Sequence, residues 1–355
     1  MLSKYLLNFR YAFRPKKPIL VFRLIRTFLG IFIFGKRPLR YVDFAIGYAC
    51  NLKCEHCFAT ALKDDSRRKI TPEEHKDIIK QAMELGAVNF SFQGGEPTLY
   101  PELLDFIKNS YPDRNLISVT TNATLLDEQK ILILKKAGVD ILTISLDSSV
   151  PEEHDRFRGV KGTFEKTMNT IKLALENGMN VTLGAVVSHQ NVRSRGLTDL
   201  IELAHKLNVI IFVALATPVG EWASNVDIIL TDDDRAYLYD LVAKYPLLRT
   251  DFEANYRHYG CGAVKEILYL TPYGDVMGCP FLHFSLGSVF EESLAQIRSR
   301  ALQNKYFANY HQLCLAAEDR EFMSRYSGFF YEKDVHSDGP RRMRDMEKEE
   351  TVSHG

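Results

Sequence analysis

The first 42 residues contain no aspartate or glutamate, although they contain ten lysines and arginines. Large apolar residues alternate with these cations, which is the pattern of a basic amphipathic segment. The longest uncharged run in this segment, residues 27–35, has nine residues, whereas a membrane-spanning helix needs about 20. We therefore expect no spanning helix here, and the charged residues after Gly35 argue against a signal peptide.

Two interpretations of this basic segment, residues 1–40, remain open. In the first, it lies on an anionic membrane surface, where each Lys or Arg contributes about 1 kcal/mol to attachment. In the second, it forms a helix whose apolar face packs on the domain while its basic face is solvated. The first interpretation adds peripheral membrane contact to an expected cytoplasmic location.

The chain as a whole lacks net charge, because 45 Lys and Arg balance 45 Asp and Glu. Proteins that bind nucleic acid carry an excess of positive charge, so we predict no nucleic-acid partner. The 355 residues exceed what one core comfortably supports, which predicts a large domain and a smaller one. The final segment, residues 332–355, is charged and poor in large apolar residues, so we expect a disordered tail.

Cysteine is scarce: the chain has six, in two groups of three. The first cysteine group, Cys50, Cys54 and Cys57, follows a predicted strand on one short stretch. Three is an odd number, which argues against disulfides, and soft thiolates on one loop suit an iron–sulfur cluster or zinc. Three thiolates leave one coordination position open, and His56 offers a way to complete a zinc site.

Between residues 41 and 250, short apolar runs alternate with amphipathic stretches of helical period, which indicates βα units and a parallel sheet. Six such units predict an α/β fold, a partial TIM-like (β/α)6 barrel, whose chemistry lies at the C-terminal ends of the strands. The predicted strands are 42–46, 89–93, 116–121, 140–146, 181–187 and 210–214, and the predicted helices are 72–85, 101–109, 127–137, 163–176, 196–207 and 232–243.

Glycines and polar residues follow the predicted strands. Gln93-Gly-Gly-Glu-Pro follows the second strand, Asn122 the third, and Ser145-Leu-Asp the fourth. Taken singly, each is also explained as an ordinary βα turn. Joined in this order to Cys-x3-Cys-x2-Cys-Phe, however, they closely resemble the radical S-adenosylmethionine (SAM) superfamily over residues 41–246.

This resemblance implies a [4Fe–4S] cluster on the first cysteine group, with SAM chelating the iron that no cysteine binds. An external flavodoxin- or ferredoxin-type donor would supply the electron that cleaves SAM, and the resulting 5′-deoxyadenosyl radical would take hydrogen from the substrate. The protein's part is to hold SAM, align the substrate and exclude water. An iron with an open position is oxygen-sensitive, which fits a reducing cytoplasm.

The resemblance also implies the SAM-binding residues. Glycine backbones at 94 and 95 would approach the SAM ammonium, and Ser145 and Arg158 match positions that bind ribose or carboxylate. For Thr121, Asp147 and Thr217, a helix cap or turn at a strand end is an equally good interpretation. The implied set is Phe58, Gln93, Gly94, Gly95, Glu96, Asn122, Ser145, Arg158 and Val187.

The second cysteine group, Cys261, Cys279 and Cys314, lies in the C-terminal region, residues 251–331. Two short apolar runs, 267–270 and 276–277, flank Thr-Pro-Tyr-Gly-Asp and predict a β-hairpin, and a helix is expected over 292–303. This small α+β extension resembles the SPASM and twitch modules of radical SAM enzymes. The full SPASM pattern has seven cysteines and two clusters, so three thiolates imply one auxiliary [4Fe–4S] cluster.

The fourth ligand of this auxiliary cluster stays open. Buried unligated cysteines, or zinc completed by a histidine, are the alternatives to a cluster. The candidates for the fourth position are His283, His311, Glu318, Asp319, a water and the substrate.

Three functions are compatible with these features. The first is hydrogen abstraction from a lipid or other membrane-associated small molecule, suggested by residues 1–40. The second is modification of a peptide or protein side chain, or a tetrapyrrole or cofactor-precursor reaction. Many peptide-modifying relatives have an N-terminal peptide-binding domain that residues 1–40 are too few to form, so a separate partner would be needed. The third is a non-enzymatic zinc or electron-transfer protein.

Overall fold

The computed structural model describes residues 14, 16–250, 252, 260–330 and 341–343. Its centre is a ten-stranded sheet in which the first seven strands are parallel and follow one another in chain order. The six predicted strands are confirmed, and β7 is an additional short one. The strands are β1 (Tyr41–Gly47), β2 (Asn89–Gly94), β3 (Leu116–Thr121), β4 (Ile141–Ser145), β5 (Asn180–Val187), β6 (Ile210–Leu215) and β7 (Leu248–Arg249).

The helices begin and end at the signals that the sequence carries. A reciprocal capping box between Thr71 and Glu74 starts the second helix, and Gly138, with φ of 101°, ends the fourth. The helices are α1 (Pro18–Phe34), α2 (Pro72–Glu84), α3 (Leu103–Asn109), α4 (Glu128–Ala137), α5 (Pro151–Arg158), α6 (Thr163–Glu176), α7 (Arg195–Leu207), α8 (Asp232–Lys244), α9 (Leu294–Ala301), α10 (Lys305–Ala308) and α11 (Arg320–Phe330).

The strands of the barrel place aliphatic side chains toward the helices, and toward the inside they place small polar side chains together with some apolar ones, among them Ile141 and Phe212. On β5, alternate residues from Val181 to Val187 belong to the buried core, while Thr182, Gly184 and Val186 are half-buried. Cross-strand partners share a face, so the register extends the inner row through Thr120, Thr143 and Thr182. The inward positions of β1–β6 include one acid, Asp43, and no Lys or Arg.

The predicted hairpin is confirmed and continues the barrel sheet. β8 (Ile267–Leu270) pairs in parallel with β1, β9 (Asp275–Met277) pairs antiparallel with β8, and β10 (Gly287–Ser288) follows β9. The C-terminal region is therefore joined to the first strand of the barrel by backbone hydrogen bonds. Helix α9 is shorter than the predicted helix over 292–303.

Helix α1 crosses the N-terminal ends of β2, β3 and β4. Arg23 donates to the carbonyl oxygens of Ala87 (2.6 Å) and Arg114 (3.1 Å), and Lys17 forms an ion pair with Asp140. A helix does form, and it docks through apolar as well as basic side chains: Leu20 and Leu24 pack on Val88 and Leu116. The interpretation of a packed helix is therefore correct for the apolar contact, while its solvated basic face holds for Arg26 but not for Arg23. Its exposed face includes Ile19, Phe22, Ile25, Phe28, Leu29, Phe32, Ile33 and Phe34.

Within the described residues, no helix has the length and apolar character needed to cross a membrane.

Most of the predicted tail, like residues 1–13, lies outside the described residues. Residues 341–343 are described, and they pack on the domain: Arg342 forms a β-bridge with Ser285 and an ion pair with Glu291, and Met343 is buried. This short stretch departs from the prediction of a disordered tail.

Candidate active site

The first cysteine group lies on the loop after β1, at the C-terminal edge of the parallel sheet. Backbone hydrogen bonds fix this loop from two sides. The amides of Lys53 and Glu55 donate to the last carbonyl oxygens of α5, at 3.3 and 3.1 Å, and the amide of Glu221 donates to the carbonyl of Cys57 at 3.0 Å. The loop is thus held by segments that follow β4 and β6.

Two glycines permit these close approaches. A Cβ on Gly95 would lie 2.2 Å from the carbonyl oxygen of Ala49, and one on Gly159 would lie 2.2 Å from that of Lys53. Both distances are far below van der Waals contact. Glycine at position 95 therefore lets the end of β2 approach the cysteine loop, and Gly159, with φ of 70°, does the same for the end of α5.

Three hydrogen-bond donors point at the sulfur atoms of this loop. The amide of Leu52 lies 3.4 Å and the side-chain Nδ2 of Asn122 lies 3.8 Å from Sγ of Cys50, while Nη1 of Arg158 lies 3.7 Å from Sγ of Cys54. Donors around thiolates tune and orient metal ligands. Burial raises the pKa of Cys57 to about 11, so iron binding must remove its proton.

Glu96 is fully buried and links the ends of β2 and β3. Its Oε1 accepts from the hydroxyls of Thr98 (2.6 Å) and Thr121 (2.7 Å), and its Oε2 accepts from the amide of Asn122 (2.8 Å). The carboxylate therefore fixes the backbone of Asn122, whose side-chain amide faces Sγ of Cys50. Its role in placing the SAM ammonium remains a prediction. The hydroxyl of Thr121 donates to Glu96 and also accepts from the amide of Ala123 at 2.9 Å, so Thr121 makes the turn that its position at a strand end allowed.

Arg158 and Asp147 form a buried ion pair. Nε and Nη2 of Arg158 each lie 2.7 Å from Oδ2 of Asp147, and the amide of Val186 donates to Oδ1 at 3.1 Å. Burial raises the pKa of Asp147, but Arg158, His56, His154 and the amide of Val186 together outweigh burial, so the pKa is lowered. Two guanidinium nitrogens of Arg158 face Asp147. The predicted contact of Arg158 with SAM would therefore be made by Nη1, the nitrogen that also faces Cys54.

Four further predicted SAM residues have three kinds of surroundings. Gln93 and Ser145 are half-buried at inward positions at the ends of their strands, where they can reach a ligand. Val187 is fully buried in the core, so its side chain faces the helices and only its backbone is placed to line a ligand. Phe58 packs edge-on against Phe281, with ring centroids 5.5 Å apart.

His56 lies between two aromatic rings. It stacks on Phe157 with centroids 4.3 Å apart and lies 5.8 Å from the ring of Trp222. Burial lowers the pKa of His56 to about 3, so it is neutral at pH 7. Among the described residues, no group of three or more His, Cys, Asp and Glu side chains is arranged to hold a metal ion. A [4Fe–4S] cluster does not require such convergence, because each thiolate binds a different iron.

The second cysteine group is brought together by the hairpin and the segment after α10. Burial raises the pKa of Cys314, and the neighbouring Cys261, Glu318 and Cys279 raise it further. The amide of Cys261 donates to the carbonyl of His311 at 2.6 Å, and that of Cys314 donates to Oε2 of Glu318 at 2.8 Å. Cys261 and Cys279 are thus near enough to Cys314 to act on its thiol.

Two family models match the chain. Residues 44–204 match the radical SAM superfamily, and residues 261–318 match the SPASM iron–sulfur cluster-binding domain. The chain belongs to the radical SAM superfamily. It is therefore an enzyme, and the interpretation as a non-enzymatic zinc or electron-transfer protein is wrong.

Relatives of this radical SAM enzyme align with most of its length. It is 27% identical over 322 residues to the antilisterial bacteriocin subtilosin biosynthesis protein AlbA of Bacillus subtilis, covering 84% of this chain and 68% of AlbA. It is 27% identical over 290 residues to an AdoMet-dependent heme synthase of Methanosarcina barkeri, covering 74% of this chain and 82% of the synthase. Streptococcus suis SuiB, solved with its precursor peptide SuiA, has the same fold, with a TM-score of 0.59, 18% identity, and coverage of 79% of this chain and 69% of SuiB.

The superfamily's cofactors are a [4Fe–4S] cluster and SAM, and its SPASM domains carry auxiliary iron–sulfur clusters. The first cysteine group fits the SAM-binding cluster, since its thiols meet donors from Leu52, Asn122 and Arg158 and leave one position open. The second fits an auxiliary cluster. Both ligand sets remain predictions.

Sequence reasoning missed part of the surroundings of the cysteine loop. Trp222 and Gly220 follow β6 and pack on the loop, where a Cβ on Gly220 would lie 2.1 Å from the carbonyl oxygen of Cys57. Trp222 is the single tryptophan of the chain and follows a predicted strand, so the sequence did offer a signal for its place near the site. Tyr48 and Tyr269, hydrogen-bonded through their hydroxyls at 3.0 Å, could not be paired without knowing that β8 lies beside β1.

Proposed function

We propose that this enzyme abstracts hydrogen from a peptide or protein side chain. The cluster and SAM supply the radical, and the chain's own residues hold the cysteine loop, bind the substrate and exclude water. The inner surface of the barrel is the observation that supports this substrate class.

That surface bears hydroxyl groups with little charge. Thr120, Thr143 and Thr182 form one cross-strand row, and Ser145 follows Thr143 on the same face. Neutral donors and acceptors suit the amides of a peptide. The carboxylates of a tetrapyrrole would favour the cations that these positions lack.

The hypothesis of a lipid substrate has lost its support. The basic segment that suggested it includes α1, which lies at the N-terminal ends of the strands, opposite the cysteine loop. A bilayer that touches α1 therefore does not meet the site. AlbA is a bacteriocin biosynthesis protein, and SuiB was solved with a precursor peptide, which favours the alternative.

A tetrapyrrole is the second candidate. It is supported by the heme synthase relative, because the aligned region covers 82% of that enzyme. The inner row of threonines is less suited to it, and a direct comparison of substrates separates the two.

The test supplies the anaerobically reconstituted enzyme with SAM, dithionite and either candidate precursor peptides or Fe-coproporphyrin III. We expect a SAM-dependent mass change in a peptide, and deuterium transfer from a perdeuterated peptide into 5′-deoxyadenosine.

Replacing Thr143 with Val removes one inward hydroxyl at nearly constant volume. Since a hydrogen bond contributes about 0.5–1.5 kcal/mol, KM for the peptide should rise roughly two- to tenfold. Turnover of the porphyrin alone would establish the second candidate instead.

We also propose that α1 attaches the enzyme to an anionic membrane surface. Its exposed face carries large apolar side chains, among them Phe22, Phe32 and Phe34 at 65, 57 and 71% exposure. Arg26 and Lys36 are exposed beside them, and no acid precedes Asp43. An apolar face with a cationic border matches an anionic bilayer.

Co-sedimentation with phosphatidylserine-containing vesicles tests this attachment. The double variant Phe32→Ser/Phe34→Ser should bind at least tenfold more weakly, since each Phe contributes roughly 1.5–3 kcal/mol on burial. Leu132→Ser/Ile133→Ser is the matched control, because these exposed apolar residues lie on α4. Equal binding of both variants and the parent, or no binding by any, would refute the attachment.

A further inference from the structure

Lys265 is a buried cation in the C-terminal region. It is 1% exposed, and its Nζ has no hydrogen-bond partner among the described residues. It lies four residues after Cys261 and two before β8. Buried ammonium groups are normally paired because desolvation strongly disfavours an isolated charge. The position therefore calls for a negative partner.

The described groups around Nζ of Lys265 do not directly provide this negative partner. The rings of Tyr310 and Phe307 lie 5.5 and 5.9 Å away, at the outer limit of a cation–π contact. Glu266 is the nearby carboxylate, but it already pairs with Arg40 at 3.0 Å and accepts from the hydroxyl of Tyr310 at 2.5 Å.

The remaining anionic group is Cys261. Its amide donates to the carbonyl oxygen of His311 at 2.6 Å, and His311 directly follows Tyr310, whose ring lies 5.5 Å from Nζ of Lys265. Burial lowers the pKa of Lys265, whereas the Cys261 thiolate opposes this effect. In the ligated state Cys261 is a thiolate by necessity, because iron binds the deprotonated sulfur. The cation is thus buried beside a ligand of the predicted auxiliary cluster.

We propose that Lys265 is a positioning residue of the auxiliary cluster whose ammonium charge raises the reduction potential of that cluster. An oxidised [4Fe–4S] core with three thiolates is already anionic, and reduction adds another negative charge. A fixed cation nearby therefore stabilises the reduced form more than the oxidised form. Burial strengthens the effect because little water screens the interaction.

This role is compatible with an electron passing to or from the auxiliary cluster, and it does not depend on the identity of the substrate. It rests on the second cysteine group holding a cluster, which iron counting tests separately from substrate turnover.

The experiment titrates the auxiliary cluster in a background in which the first cysteine group is replaced by Ala, so that a single cluster responds. Lys265→Met should keep the iron and sulfide content, by chemical assay, and shift the potential in an EPR-monitored redox titration to a lower value. Lys265→Arg, which keeps the charge, should return the potential toward that of the parent. Lys305→Met removes an exposed lysine of the same region, and should leave the potential unchanged.

An unchanged potential in Lys265→Met, or a parent protein without a cluster in this background, would overturn the proposal. If the Met variant loses its cluster, Lys265→Gln is titrated in its place. Loss of the cluster in Lys265→Arg as well would identify a purely structural residue and would also overturn it.

Discussion

Replacing the first cysteine group with Ala is expected to abolish 5′-deoxyadenosine formation, because the electron reaches SAM only through the cluster that these thiolates hold. Replacing the second group is expected to leave SAM cleavage within a few-fold of the parent and to eliminate modified peptide. The measurements are chromatography of 5′-deoxyadenosine under dithionite and iron counting on each reconstituted variant.

Near-ultraviolet circular dichroism of each apoprotein serves as the control for folding. This matters for the second group, since β8 pairs with β1 and damage to the C-terminal region could spread into the barrel. Persistent SAM cleavage in the first-group variant would contradict the assignment of that cluster. Loss of cleavage in a correctly folded second-group variant would show that the two clusters do not act separately.

The barrel could be predicted from sequence because its signals are local. Each strand is a short apolar run and each cysteine group has a fixed spacing, so neither depends on distant residues. Helix α5 was missed because its residues, Pro151–Arg158, are mostly charged and show little apolar periodicity. Its boundaries were nevertheless encoded by Pro151 at the first turn and by Gly159 in the left-handed region.

What the sequence could not provide is the pairing of distant segments. Tyr41 is opposite Ile267 in the sheet, and no local sequence pattern predicts a contact between residues so far apart in the chain. The orientation of Val187 follows from strand register, since a shift of one residue exchanges the two faces. Likewise, only the structure shows that the guanidinium of Arg158 binds Asp147. In the sequence, Asp147 was equally consistent with a turn or a helix cap.

Replacing Arg158 with Met is expected to lower the free energy of unfolding of the apoprotein by roughly 3–5 kcal/mol, because it leaves the buried Asp147 charge without its partner. The double variant Asp147→Asn/Arg158→Met should cost less than the sum of the single variants. Arg156→Met is the matched control, since Arg156 is exposed on the same helix. Urea unfolding at pH 7 of the parent, Asp147→Asn, Arg158→Met, the double variant and Arg156→Met measures these differences.

The pH dependence of this pair has a definite sign. Because the pKa of Asp147 is lowered in the folded protein, the pair stabilises the fold above the pKa of an unfolded aspartate, about 3.9, and this contribution is lost as the pH falls through the lower folded value. The difference in the free energy of unfolding between the parent and the double variant should therefore shrink in acid.

Arg158 also holds the cysteine loop, so Arg158→Met should retain less iron after reconstitution than Arg156→Met. Equal unfolding energies and equal iron retention in the two single arginine variants would show that the buried pair neither stabilises the barrel nor positions the loop.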